Sequence, residues 1–185
     1  MELKYKLLDH PFYQAWTMGE VTFEQLSKYH RSYNEFIELM PVYWDRINKG
    51  FNLTDSDSKR IVEDETRHIG QWQIWLDKLP QTESFPKMEE ILSTFANMTP
   101  SELLGAVQAF EMQQPEVAFT KKEGLLKHYG YNDVELVYFD EHMEEAAHIN
   151  YGLSIKDKYA NAEEFQRGFD KASEVLYNGL DLFLN

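Results

Sequence analysis

Apolar residues recur along this chain at three- and four-residue intervals, the spacing that lines one face of an α-helix, and nowhere alternate as a half-buried strand requires. Seven helices are expected. The first runs to about Trp16 and ends at Met18-Gly19. Thr22 is placed to cap a long second helix carrying Phe23, Leu26, Tyr29, Tyr33, Phe36, Ile37 and Met40, kinked at Pro41 and closed by Asn48-Lys49-Gly50. The third follows Thr54-Asp55-Ser56 and reaches Leu79, where Pro80 stops it. Beyond the polar loop 81–86, a short fourth helix carries Ile91 and Phe95. Thr99-Pro100-Ser101-Glu102 reads as a capping box with proline in the first turn, opening a fifth helix with Leu103, Val107, Phe110, Val117 and Leu125 that Pro115 interrupts. Asn132-Asp133 opens the sixth and Asn161-Ala162-Glu163-Glu164 the last. With no repeat and no low-complexity tract, residues 1–185 are expected to form a single all-α domain.

Composition narrows the chemistry. No apolar run approaches the roughly 18 residues a membrane span needs, and the opening MELKYKLLDH lacks the apolar core of a signal peptide. There is no cysteine, which excludes disulfides, thiolate nucleophiles, iron–sulfur clusters and cysteine zinc sites, and a cytoplasmic location is expected. The net charge of −14 repels phosphate backbones and anionic bilayers, so neither nucleic acid nor a membrane is an expected partner.

Most of the acids must face solvent, and those inside apolar helical stretches stand out. Glu65-Thr66-Arg67-His68 and Glu145-Ala146-Ala147-His148 each place a carboxylate three residues before an imidazole, so both side chains of a pair share one helix face. Two such pairs, joined by a glutamate from each of two further helices, form the carboxylate-bridged dimetal sites of helix bundles. Glu111, flanked by Phe110 and Met112, is one candidate for an added carboxylate, and Glu35 or Glu38 on the second helix another. Carboxylate and imidazole suit iron or manganese, and a buried carboxylate is costly without a compensating cation. An acid-rich helical chain also yields Glu-x-x-His by chance, as ordinary surface neighbours. His10, His30 and His128 lack such company and are expected to cap, pack or face solvent.

Beyond these pairs, His10-Pro11-Phe12-Tyr13-Gln14-Ala15-Trp16, followed by Gly19-Glu20, Tyr29, Tyr33 and Pro41, resembles the opening of the heme-oxygenase-like diiron oxidases, in particular their para-aminobenzoate synthase group. The segment from Ala109-Phe110-Glu111 through Pro115 to Ala118 is similar to that group's YESQ-P-x-x-A stretch, and Tyr138-Phe139-Asp140-Glu141-His142 to its YF-x-x-H. The likeness spans about residues 10–152. It implies a seven-helix heme-oxygenase-like bundle holding two iron ions, with manganese replacing one or both as a variant, and O2 as co-substrate. The ligands it implies are an acid at Asp64 or Glu65, then His68, Glu111, His142, Glu145 and His148. It also implies a consumed tyrosine at Tyr13, an active-site lysine at Lys121 and a pocket tyrosine at Tyr138.

The chain departs from that pattern in three places. It is shorter before His68, which leaves Asp64 and Glu65 competing. It is one residue short between His142 and His148, with Glu145 where the group has aspartate; in a regular helix those histidines stand about 120° apart. A local irregularity must bring His142 inward, or Glu141 replaces it. Phe110 stands where the group has tyrosine. The bland alternatives are a packing role for Tyr13, a solvated Lys121 beside Lys122 and Glu123, and core roles for Trp72 and Trp75, although Trp72, one turn after His68, is placed to wall a pocket.

The leading expectation is an O2-dependent dimetal oxidase acting on a small molecule or on its own tyrosine, with a homodimer open. The alternatives are a metal-free thiamin-salvage or quinone-cofactor relative, the former disfavoured by the missing cysteine, and a non-enzymatic metal-binding or interaction bundle.

Overall fold

A computed structural model describes residues 1–144 and 146–184 of the chain. Every regular element among them is helical: α1 (Pro11–Met18), α2 (Phe23–Gly50), α3 (Ser56–Ile74), α4 (Glu89–Ala96), α5 (Pro100–Glu111), α6 (Gln114–His128), α7 (Val137–Met143), α8 (Ala146–Tyr159) and α9 (Ala162–Gly179), with short 3-10 turns between them. Taking α5 with α6, and α7 with α8, as broken rods recovers the seven helices expected. Among the described residues no helix is long and apolar enough to cross a membrane.

The expected caps carry the boundaries. Thr22 accepts from the Gln25 N–H while Gln25 returns the bond, and Thr99 and Glu102 repeat the exchange at α5. Gly19 closes α1 in the left-handed conformation (φ 73°). Three expectations need adjusting. The α-helical part of the third rod ends at Ile74, and Trp75–Lys78 tighten into a 3-10 turn before Pro80. Pro115 does not break its helix from within: the break falls at Met112-Gln113, and Pro115 sits in the first turn of α6, where its missing N–H costs nothing. Asn132 caps a 3-10 turn (Asp133–Leu136), and α7 begins only at Val137.

α5 is the central rod, buried without interruption from Leu103 to Glu111. It packs against α9, and α2 pairs with α3. Glycines permit the α5–α9 approach: a Cβ on Gly105 would stand 2.0 Å from the Phe165 carbonyl oxygen, and one on Gly168 1.9 Å from that of Glu102. The same device seats α1 on α6. Gly124 leaves room for the Trp16 ring, whose Nε1–H donates to the Lys121 carbonyl at 3.2 Å. Buried aromatic rings (Trp16, Tyr29, Trp72 and Trp75 among them) fill the space between α1, α2 and α3.

Candidate metal centre

Four helices aim acids and imidazoles at one interior point. α3 contributes Glu65 and His68, α5 ends on Glu111, α7 carries His142 and α8 carries His148, and all five side chains are buried. His148 Nδ1 lies 3.2 Å from Glu65 Oε1 and 4.0 Å from Glu111 Oε1. His68 Nδ1 lies 3.4 Å from Glu65 Oε2, and the His68 and His142 rings are 4.3 Å apart. Two ligands of one ion, each bound at about 2.1 Å, stand roughly 3–4 Å apart, so the distances from Glu65 to His148 and His68, and from Glu111 to His148, suit a shared cation. Glu65, Glu111 and His148 can hold a metal ion.

The electrostatics agree. Burial alone would push the Glu65 carboxyl up, but hydrogen bonds and positive charge from His148 and His68 outweigh it and hold the group well below the usual range. Glu65 is therefore an anion in the interior, which positive charge must balance. His142 donates Nδ1–H to the Tyr138 carbonyl at 2.7 Å, so its lone pair belongs to Nε2, the state a metal ligand needs. Its ring stacks on that of Tyr138, centroids 4.0 Å apart.

The expected residues separate by position. Glu65 occupies the centre; Asp64 is half-buried at the rim, its Oδ1 2.7 Å from Arg67 and its Oδ2 3.7 Å from His148 Nε2. α7 closes at Met143, Glu144 leaves helical geometry (φ −105°, ψ 23°), and α8 starts at Ala146. That break turns both His142 and His148 inward, which a regular helix forbids. Glu141, by contrast, lies at the rim against Arg67 and Gln71. Those two donors outweigh its partial burial and lower its carboxyl. Glu145 lies outside the described residues. Glu35 and Glu38 are corrected: both are exposed, facing Lys87 and Asn34 respectively, because their stripe of α2 is the polar one. No acid of α2 enters the centre.

A second constellation adjoins the first. Lys121, on α6, is buried with its Nζ 5.5, 5.2, 5.5 and 5.8 Å from the ring centres of Tyr13, Tyr29, Tyr33 and Trp72. Among the described residues no carboxylate pairs with it, and burial pulls its ammonium down to about 7. Tyr13 and Tyr29 meet hydroxyl to hydroxyl at 3.0 Å, and burial pushes both phenols above their ordinary value. Trp72 links the two constellations: one face of the cage, it also touches Tyr138 edge-on at 4.9 Å. The bland alternative of a solvated Lys121 is overturned, since the side chain is buried. Sequence reasoning missed Tyr29 and Tyr33 as cage walls, although their i, i+4 spacing on a buried stripe was a usable signal. It also missed Arg67 and Gln71, for which i+3 and i+7 spacing from Asp64 gave none beyond a surface pair.

No family model matches the chain. Curated relatives do. The chain is 29% identical to a 4-aminobenzoate synthase of Nitrosomonas europaea, over 97% of its own length and 84% of the relative's. It is 27% identical to a 4-aminobenzoate synthase of Chlamydia muridarum (96% and 84%) and 26% identical to one of Chlamydia trachomatis (97% and 87%). The resemblance to the para-aminobenzoate synthase group, drawn from the opening motif and the Glu111 segment, thus extends over nearly the whole chain.

Proposed function

We propose, from the premise that these relatives share its chemistry, that this chain is an enzyme forming 4-aminobenzoate from its own Tyr13, in an O2-dependent oxidation at a metal pair bound between α3, α5, α7 and α8. The observation that carries the reading is Lys121: a buried amine with no acidic partner among the described residues, caged against Tyr13 and separated from the acid–imidazole cluster by Trp72.

Comparing tyrosine with 4-aminobenzoate states what the site must do. The Cα–Cβ bond breaks, Cβ rises to the carboxyl level, and the phenolic oxygen gives way to nitrogen. The carbon changes are oxidations; the nitrogen must come from an amine with a free electron pair. Two iron ions, or iron with manganese, would supply the electrons and open coordination positions that O2 requires. Glu65, His68, Glu111, His142 and His148 are the ligands in this reading, with Glu145 as a further carboxylate and Asp64 at the rim. Lys121, about half uncharged near neutral pH, presents its lone pair within the cage that holds the Tyr13 ring; if its nitrogen is the one transferred, the Cε–Nζ bond breaks and Cε is left oxidised to an aldehyde at the expense of O2. Tyr29 shares the Tyr13 phenolic proton. Tyr138 and Trp72 keep water from the space between cage and ligands. The whole chain serves as one cytoplasmic domain acting on small molecules, with no part for nucleic acid or membrane; a homodimer is compatible with it.

The test is to load metal-free protein anaerobically with Fe(II), alone or with Mn(II), admit O2, and follow both product and protein. The expected result is no more than one 4-aminobenzoate per chain, with the peptide spanning residue 13 lacking its hydroxybenzyl side chain. Product with Tyr13 intact ends the self-consuming version. Absence of both metal uptake and product ends the reading altogether.

A further inference from the structure

Glu141 sits outside the ligand cluster, yet three side chains hold it in place. Its Oε1 accepts from Gln71 Nε2 at 2.5 Å, and its Oε2 accepts from Arg67 Nη2 at 2.8 Å and faces His68 Nε2 at 3.2 Å. Both oxygens are thus committed to donors, which leaves the carboxylate badly placed to become a ligand itself. Arg67 in turn is braced by Asp64 at 2.7 Å, so the arrangement ties α3 to α7 across the mouth of the centre.

The consequence falls on His68. A neutral imidazole carries one N–H and one lone pair. With Glu141 fixed by two other donors, the proton belongs on Nε2, and the Nδ1 lone pair then faces Glu65 Oε2, 3.4 Å away. Two electron pairs opposed at that distance need a cation between them: in the metal-free chain it is the second imidazole proton, which makes His68 positive and lets Nδ1 donate to Glu65, and a bound metal ion would take that proton's place. We infer that Glu141 is a positioning residue: it accepts the Nε2 proton of His68 and thereby presents Nδ1 to the metal, while Arg67 and Gln71 hold Glu141 in register. Imidazole ligands elsewhere depend on such an outer carboxylate for orientation and basicity, and losing it weakens metal binding about 10–100-fold. The inference rests on the metal-binding reading above and gives Glu141 a role other than that of a ligand in place of His142.

Equilibrium titration of the full-length protein with Co(II), whose visible absorption reports coordination, separates the outcomes. Wild type is expected to bind Co(II) at the buried centre. Glu141→Gln should bind the same number of ions with the same absorption envelope at saturation, but with a dissociation constant raised about 10–100-fold. Arg67→Gln, at a half-exposed site where folding is not in question, should shift it the same way by less. Unchanged affinity in Glu141→Gln overturns the inference, as does a lost ion or altered envelope at saturation, which would make Glu141 a ligand. Wild type taking up no Co(II) would instead defeat the metal-binding reading itself.

Discussion

The Nζ of Lys121 lies 5.5 Å from the centre of the Tyr13 ring. A cation over an aromatic face is attracted to it, yet here desolvation wins and the amine is held near the neutral–charged boundary. The same burial that makes this lysine chemically useful makes it costly to fold.

That cost has a definite pH dependence. Below about pH 7 Lys121 is protonated in both folded and unfolded chains, and the folded state bears the full penalty of burying the charge. Between about 7 and the unfolded value near 10.4 only the unfolded chain holds the proton, so stability rises with pH through that window. Above it the penalty is gone. Lys121→Met should therefore stabilise the protein at pH 6, by up to about 5 kcal/mol, with the gain shrinking toward pH 10. Denaturant melts at both pH values check this, and an equal gain at each would contradict the buried, displaced amine.

Tyr13→Phe should form no 4-aminobenzoate while keeping the fold. The substitution removes one hydroxyl and leaves that of Tyr29 without its 3.0 Å partner in a buried place, a loss of about 1–3 kcal/mol. Chromatography of the aerobic reaction and a thermal melt measure the two effects, and undiminished product would exclude Tyr13 as its source.

Metal and stability should be linked through Glu65. Any ion that binds only the folded chain stabilises it, by about 2.7 kcal/mol at a hundredfold excess over its dissociation constant. Chelation should thus lower the melting temperature of wild type, and Fe(II) or Mn(II) should restore it. In Glu65→Gln, which removes the buried anion between His68 and His148, the metal response should largely vanish. A melt insensitive to both chelator and metal in wild type would count against a bound ion.

The close approach of α5 and α9 predicts a purely structural effect. Gly168→Ala drives a methyl into the Glu102 carbonyl, which belongs to backbone and cannot swing aside. Despite the better helix propensity of alanine, about 1 kcal/mol, the overpacking should destabilise by about 1–3 kcal/mol net. Gly70→Ala, where nothing lies within 4 Å of the new methyl, should be neutral or stabilising. Equal melts for the two variants would refute the tight contact.

Helices and their ends were legible because they are local. Thr22 with Gln25, Thr99 with Glu102 and Asn161 ahead of Glu163 satisfy the first N–H groups of a helix within four residues of chain. Glu111 was legible for a related reason: a carboxylate on an otherwise apolar helix has to be explained. The inward turn of His142 was not, since it hangs on where the rod breaks beyond Met143, and one residue of phase there moves a side chain by about 100°.

Sequence alone therefore determined an all-helical chain with acids and imidazoles on buried faces, because periodicity and capping act over a single turn. Only tertiary structure decided which of them meet. Lys121, flanked by Lys122 and Glu123, reads as solvated; it is buried because Gly124 admits Trp16 and brings α6 down onto three tyrosines and a tryptophan from other helices. Likewise Glu65 and Glu141 differ little as letters. One lies against two imidazoles in a low-dielectric interior, the other against a half-exposed guanidinium, and that difference belongs to helix packing rather than to the residues themselves.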